Sequence, residues 1–151
     1  MAWWVRGLLL FIAAGIVAVL VIAALLNPYN ADGTARTQAT HRTWPLNLPP
    51  CTFYANTGLP CPSCGMTTSF ALLIRGDVLN SLRANCVGTL LAGFCLALVP
   101  WSLASVWLRR PLGIVTIEPI LIRLLVAFLV LLLVRWAVVL AMIWWARTHV
   151  S

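Results

Sequence analysis

"LLVAFLVLLLVRWAVVLAMIWWA", Leu124 to Ala146, contains one charge, Arg135. Two other stretches resemble it and contain none: "GLLLFIAAGIVAVLVIAALL", Gly7 to Leu26, and "CVGTLLAGFCLALVPWSLASVWL", Cys86 to Leu108. Each is long enough to cross roughly 30 Å of hydrocarbon as a helix. A helix of a soluble domain would keep a polar face over that length. The sequence therefore predicts an all-α integral membrane protein with three transmembrane helices in a single membrane domain over residues 1–151. The first run could also be read as a cleaved signal peptide. Its apolar core exceeds the usual signal length, and "LLNPYNADG" offers no small-x-small cleavage site, so a retained signal-anchor helix is expected.

Composition agrees. The chain is 62% hydrophobic and 9% charged, against about 25% charged in an ordinary globular domain. There is no lysine, and the acids are Asp32, Asp77 and Glu118. The net charge of +7 is spread as single arginines among apolar runs rather than as a basic stripe, which argues against a nucleic-acid partner. The partner expected from composition is the lipid bilayer. Trp3, Trp4, Trp101, Trp107, Trp136, Trp144 and Trp145 lie in or beside the spans and read as interface-belt residues.

Between the first and second spans lies the one long polar segment. Residues 27–60, rich in Asn, Thr, Pro and Gly, read as loop. Residues 61–85 read as a helix-turn-helix. Pro62 suits a first helical position, and "MTTSFALLI" follows as a helix too short to span a bilayer. It is expected to be re-entrant or interfacial. Arg75-Gly76-Asp77 interrupts it, and Asp77 is a suitable N-cap for "VLNSLRAN". Helices over 86–108 and 124–146 complete the chain. Pro100 should kink the former, Gly88, Ala92 and Gly93 offer it a small-residue packing face, and Arg109-Arg110-Pro111 should end it. Glu118-Pro119 should break any helix continuous with the third span. Arg109, Arg110 and Arg123 in the short second connection place that connection in the cytoplasm. The amino terminus then also faces the cytoplasm, and the cysteine segment faces outward.

Three cysteines gather in the polar segment, in "LPPCTFYANTGLPCPSCG": Cys51, Cys61 and Cys64. On a helix, Cys61 and Cys64 would share one face, with Cys61 at the N-terminus, where the dipole favours a thiolate. The pair suits a redox turn, or half of a site for zinc or another soft metal, with Cys51 as third sulfur or resolving thiol. A fourth ligand is not evident; His41 is the nearby histidine. A structural disulfide with one thiol left over is the third alternative, and no cofactor is required by it. Cys86 and Cys95 read as small apolar core residues.

The run "CTFYANTGLPCPSCGMTTSFALLIRGDVLNSLRAN" resembles the small bacterial membrane proteins grouped as domain of unknown function (DUF) 2752. Cys51, Thr57, Gly58, Leu59, Cys61, Pro62, Cys64, Gly65, Thr67, Gly76, Asp77 and Asn85 fall on its pattern. Thr68 stands where the family has arginine, and Cys86 where it has proline. The resemblance implies a bacterial inner-membrane protein with the cysteine motif as its functional focus, and supplies no activity.

Arg135, midway along its span, is a functional-site candidate, because a charge there is costly. Asp77, snorkelling, or carbonyls at the end of the Met66–Ile74 helix are its candidate partners. No Ser-His-Asp set, paired carboxylates or phosphate loop is present, so the reading leans away from an enzyme. Two functions remain. One is an accessory or assembly subunit that meets another membrane protein or a second copy. The other is a thiol-redox or metal-handling protein using Cys51, Cys61 and Cys64.

Overall fold

The computed structural model describes residues 3–43, 45–49, 51–108 and 117–149, and of residues 117–121 the backbone alone. It is all-helical apart from turns and one isolated bridge between Tyr29 and Ala35. Among the described residues, three helices are long and apolar enough to cross a membrane: α1 (Trp3–Leu25), α4 (Val78–Trp107) and α5 (Ile117–His149, through its part Ile122–His149). Lipid offers no hydrogen bonds, so a crossing chain must satisfy its backbone internally, and these runs do so as helices. Two short helices, α2 (Thr52–Thr57) and α3 (Met66–Ile74), lie between α1 and α4. The segment 27–60, expected as plain loop, thus contains α2 and a single 3-10 turn at Thr40–Arg42.

The centre of the bundle is an antiparallel hairpin of α3 and α4, with α1 laid against both. Ala23, Phe70 and Ala92 form its core, one from each of α1, α3 and α4. Close approach is set by Gly88. A Cβ there would strike Ser69 Oγ and stand 3.3 Å from the Met66 Cα. Of the small-residue face, Gly88 and Ala92 are thus used, while a Cβ at Gly93 would meet open space. Where α3 meets α4, Ser81 Oγ donates to the Ser69 carbonyl at 2.8 Å and lies 2.7 Å from Thr89 Oγ1.

The Arg75-Gly76-Asp77 turn does two jobs. Asp77 caps α4, accepting from the Asn80 backbone N–H at 3.3 Å and from Asn80 Nδ2 at 2.9 Å. The Asn80 side-chain bond is the largest influence that holds its carboxyl below the usual range. Arg75 reaches the carbonyls at two helix ends. Nη1 donates to Ala71 at 2.9 Å and Ala23 at 3.4 Å, and Nη2 to Ala24 at 2.8 Å. The last carbonyls of a helix have no partner within it and carry partial negative charge, so a guanidinium is a fitting cap. This cap fastens α1 to the α3–α4 hairpin.

A break in α4 falls at Asn85 (φ −161°, ψ 103°), and Pro100 lies within the helix. The described part of α5 starts at Ile117 and runs through Glu118-Pro119. The stop at Arg109-Arg110-Pro111 lies outside the described residues. α5 leans lightly on α4, leaving an apolar groove of about 460 Å³ between them.

Gly88→Ala should cost about 1–3 kcal/mol by overpacking the α3–α4 contact. Adding Ser69→Ala should recover part of it. Detergent-denaturation midpoints in mixed micelles would check this; an unaffected single variant would contradict the close approach.

Candidate functional site

The CPSCG segment is a turn, not the start of a helix. Residues 62–65 form turns, and α3 begins only at Met66. The Cys64 N–H donates to the Cys61 carbonyl at 3.1 Å, and the Cys61 N–H donates to Cys64 Sγ at 3.1 Å. The turn, rather than helical spacing, brings the two sulfurs to 2.8 Å. Pro62 thus opens a turn, for which its fixed φ is equally suited.

Gly65 makes this turn possible. Its φ is +84°, and a Cβ would stand 2.5 Å from the Ala84 carbonyl oxygen and 2.9 Å from that of Thr37. Only glycine tolerates both conditions cheaply. The turn is thereby pressed onto α4 at the point where α4 is broken. Asn85 serves both sides of the break. Its Nδ2 donates to the Cys64 carbonyl at 3.2 Å, and its Oδ1 accepts from the Gly88 N–H at 3.0 Å. The second bond is an N-cap on the remainder of α4. Cys86 is therefore the first residue of that remainder, where the resembling family's proline would fit. It is exposed, not a core residue as its composition suggested; Cys95 packs part-buried against the core.

Cys51 arrives from the other direction. It stands at the head of α2, which ends at Gly58 with Thr57 Oγ1 accepting from the Leu59 N–H at 3.2 Å. The chain then doubles back to Cys61. The sulfurs of Cys51, Cys61 and Cys64 all lie within 4.8 Å of one another. All three residues are half-buried, and they line a cavity of about 370 Å³ whose wall also includes His41, Arg42, Tyr54 and Thr67. Thr68, at the position of the family's arginine, is fully buried and accepts from Thr40 Oγ1 at 2.9 Å. Gly76 and Asp77 stand apart from the thiols, in the turn that caps α4.

The two turn thiols differ in acidity. Burial works against the Cys61 thiolate, but hydrogen bonds from Cys64, Ser63 and Cys51 outweigh it and hold the thiol below its ordinary value. Burial and the neighbouring Cys61 push Cys64 up to about 12. A zinc–sulfur length near 2.3 Å places tetrahedral sulfurs about 3.8 Å apart. The trio fits such an ion if Cys61 and Cys64 part by about 1 Å. All three donors are soft, as zinc or a softer ion prefers.

Arg135 does reach the site's support, but not through Asp77. Its Nη2 donates to the Ala84 carbonyl at 2.9 Å, one of those orphaned by the break at Asn85. Asp77 is taken by Asn80, with Tyr29 Oη at 3.4 Å. Sequence reasoning missed Trp136, read there as an interface residue. Its Nε1 donates to the Pro60 carbonyl at 2.8 Å, and its ring meets Phe53 edge-on at 6.3 Å. Its position beside Arg135 was the one available signal.

In reduced, metal-free protein, iodoacetamide at neutral pH should modify Cys61 at least about ten-fold faster than Cys64. The sign follows from the acidities: Cys61 gains its thiolate below the ordinary thiol range, and Cys64 stays protonated throughout it. Peptide mass spectrometry over a pH series reads this; equal rates would overturn the assignment.

Nothing among curated proteins and nothing among solved structures matches the chain. Residues 51–99, from the first cysteine of the site well into α4, match the family model described as protein of unknown function (DUF2752), so the match covers the segment that builds the three-thiol turn.

Proposed function

We propose that the protein is a membrane-anchored soft-metal site, in which Cys51, Cys61 and Cys64 hold zinc or a softer ion and the cavity supplies the fourth position. The convergence of three sulfurs within 4.8 Å on the cavity wall carries this reading. A redox pair needs two thiols, and a structural disulfide leaves the third without a task. Three protein ligands with one open position is the arrangement of sites that exchange a ligand, whereas structural sites are closed by four. The reading favours metal handling over an assembly role without a site. As an accessory subunit, the protein would serve a partner by holding or passing on the ion. The arginines of the short second connection support a cytoplasmic amino terminus, with the thiols on the outer side of a bacterial inner membrane.

A second reading, thiol redox by Cys61 and Cys64, is favoured by their 2.8 Å separation and unequal acidity. The two readings part at Cys51. Co(II) titration of reduced protein in detergent micelles should give one equivalent with a thiolate-to-cobalt charge-transfer band. Cys51→Ser should weaken binding by at least about 10-fold, since losing even a group that only supports a metal ligand costs about 10–100-fold. Absence of the band sinks the metal reading. A reversible Cys61–Cys64 bond unaffected by Cys51→Ser would put redox in its place.

A further inference from the structure

We infer that Trp136 is a positioning residue that sets the distance between Cys51 and the Cys61–Cys64 turn. The chain leaves these thiols on two separate arms. Cys51 heads α2, and Cys61 opens a turn beyond the bend at Gly58. The turn is internally tied by its own hydrogen bonds and by Asn85. Those bonds do not reach the Cys51 arm.

Trp136 touches both arms. Its indole N–H donates to the carbonyl of Pro60, the residue before Cys61. Its ring meets Phe53, two residues past Cys51, with the planes at 68°. Edge-on aromatic contact of this kind adds stability beyond burial, and the hydrogen bond fixes which edge faces the turn. Arg135, the preceding residue, sets the height of α5 through the Ala84 carbonyl, the same oxygen against which Gly65 is pressed. Two adjacent residues of the last helix thus reach Phe53, Pro60 and Ala84, the neighbours of the three sulfur-bearing positions. Elsewhere α5 packs lightly, so these contacts register α5 on the site.

The functional meaning of this bracket rests on the soft-ion reading, because a trio of ligands needs fixed spacing where a pair in one turn does not. Its geometric content is independent of any ion and is tested separately. The full-length protein in detergent micelles is treated with dibromobimane, which joins only thiols in close reach, and the linked peptides are identified by mass spectrometry. The wild type should give links from Cys51 to the turn as well as the Cys61–Cys64 link. Trp136→Phe keeps a ring against Phe53 but loses the donor to Pro60. It should lower the Cys51 links about five-fold, the worth of one ordinary hydrogen bond, and leave the Cys61–Cys64 link unchanged. Trp136→Leu should lower them further. Unchanged Cys51 links in both variants overturn the inference. If Trp136→Leu also loses the Cys61–Cys64 link, it has disturbed the fold, and Trp136→Phe decides alone. Co(II) titration of the same samples keeps the two ideas apart. A wild type without the charge-transfer band refutes the soft-ion reading, while the cross-links still judge the bracket.

Discussion

The break of α4 at Asn85 is the constraint on which the other features depend. An unbroken helix would carry its carbonyls past the cysteine turn fully occupied, and nothing on α4 could hold that turn. The extended backbone at Asn85 frees the carbonyls of the preceding turn and starts a new helix three residues from Gly88. In an apolar setting every freed group must find a partner, since an unsatisfied one costs several kcal/mol. The amide oxygen of Asn85, which accepts from the Gly88 N–H, Arg135, which donates to the Ala84 carbonyl, and the Thr89 hydroxyl, which donates to the Asn85 carbonyl at 3.0 Å, are those partners. A polar elbow is thereby made stable among oily helices, and it carries the thiols.

The excess of arginine over acid follows the same logic. Arg75 and Arg135 donate to helix-end carbonyls rather than to carboxylates. The partial negative charge there is enough to hold a guanidinium, and its several donors can serve more than one carbonyl, as Arg75 does for α1 and α3. Such caps join helices without requiring a buried acid. Asp77 is then released for its local task at the head of α4.

The sequence made the membrane class legible because three long apolar runs have no other stable solution. The end of α3 and the capping role of Asp77 were legible too, since both are written in local residues: an Arg-Gly-Asp stop, and a carboxylate three positions ahead of an N–H. The gathering of Cys51 with Cys61 and Cys64 was suggested by composition, but their geometry was not. The helix expected over CPSC gives way to a turn because Gly65 is pressed between the Ala84 and Thr37 carbonyls, neither near it in sequence. The break at Asn85 was hidden for a related reason. Proline is the familiar signal for a kink, so Pro100 drew the expectation, while asparagine acts only through a partner across the hairpin. Trp136 was hidden because an indole in or beside an apolar span reads by default as an interface residue.

The bracket on α5 has a bearing on biogenesis. The cysteines are made first, and the residues that hold their two arms together belong to α5, which leaves the ribosome later. At ordinary rates of synthesis the arms wait several seconds for that helix. During this interval the turn of Cys61 and Cys64 can form, but the three-sulfur arrangement lacks its clasp. Completion of the site thus reports that α5 has been inserted, and a truncated product ending before α5 would expose thiols that were never drawn together.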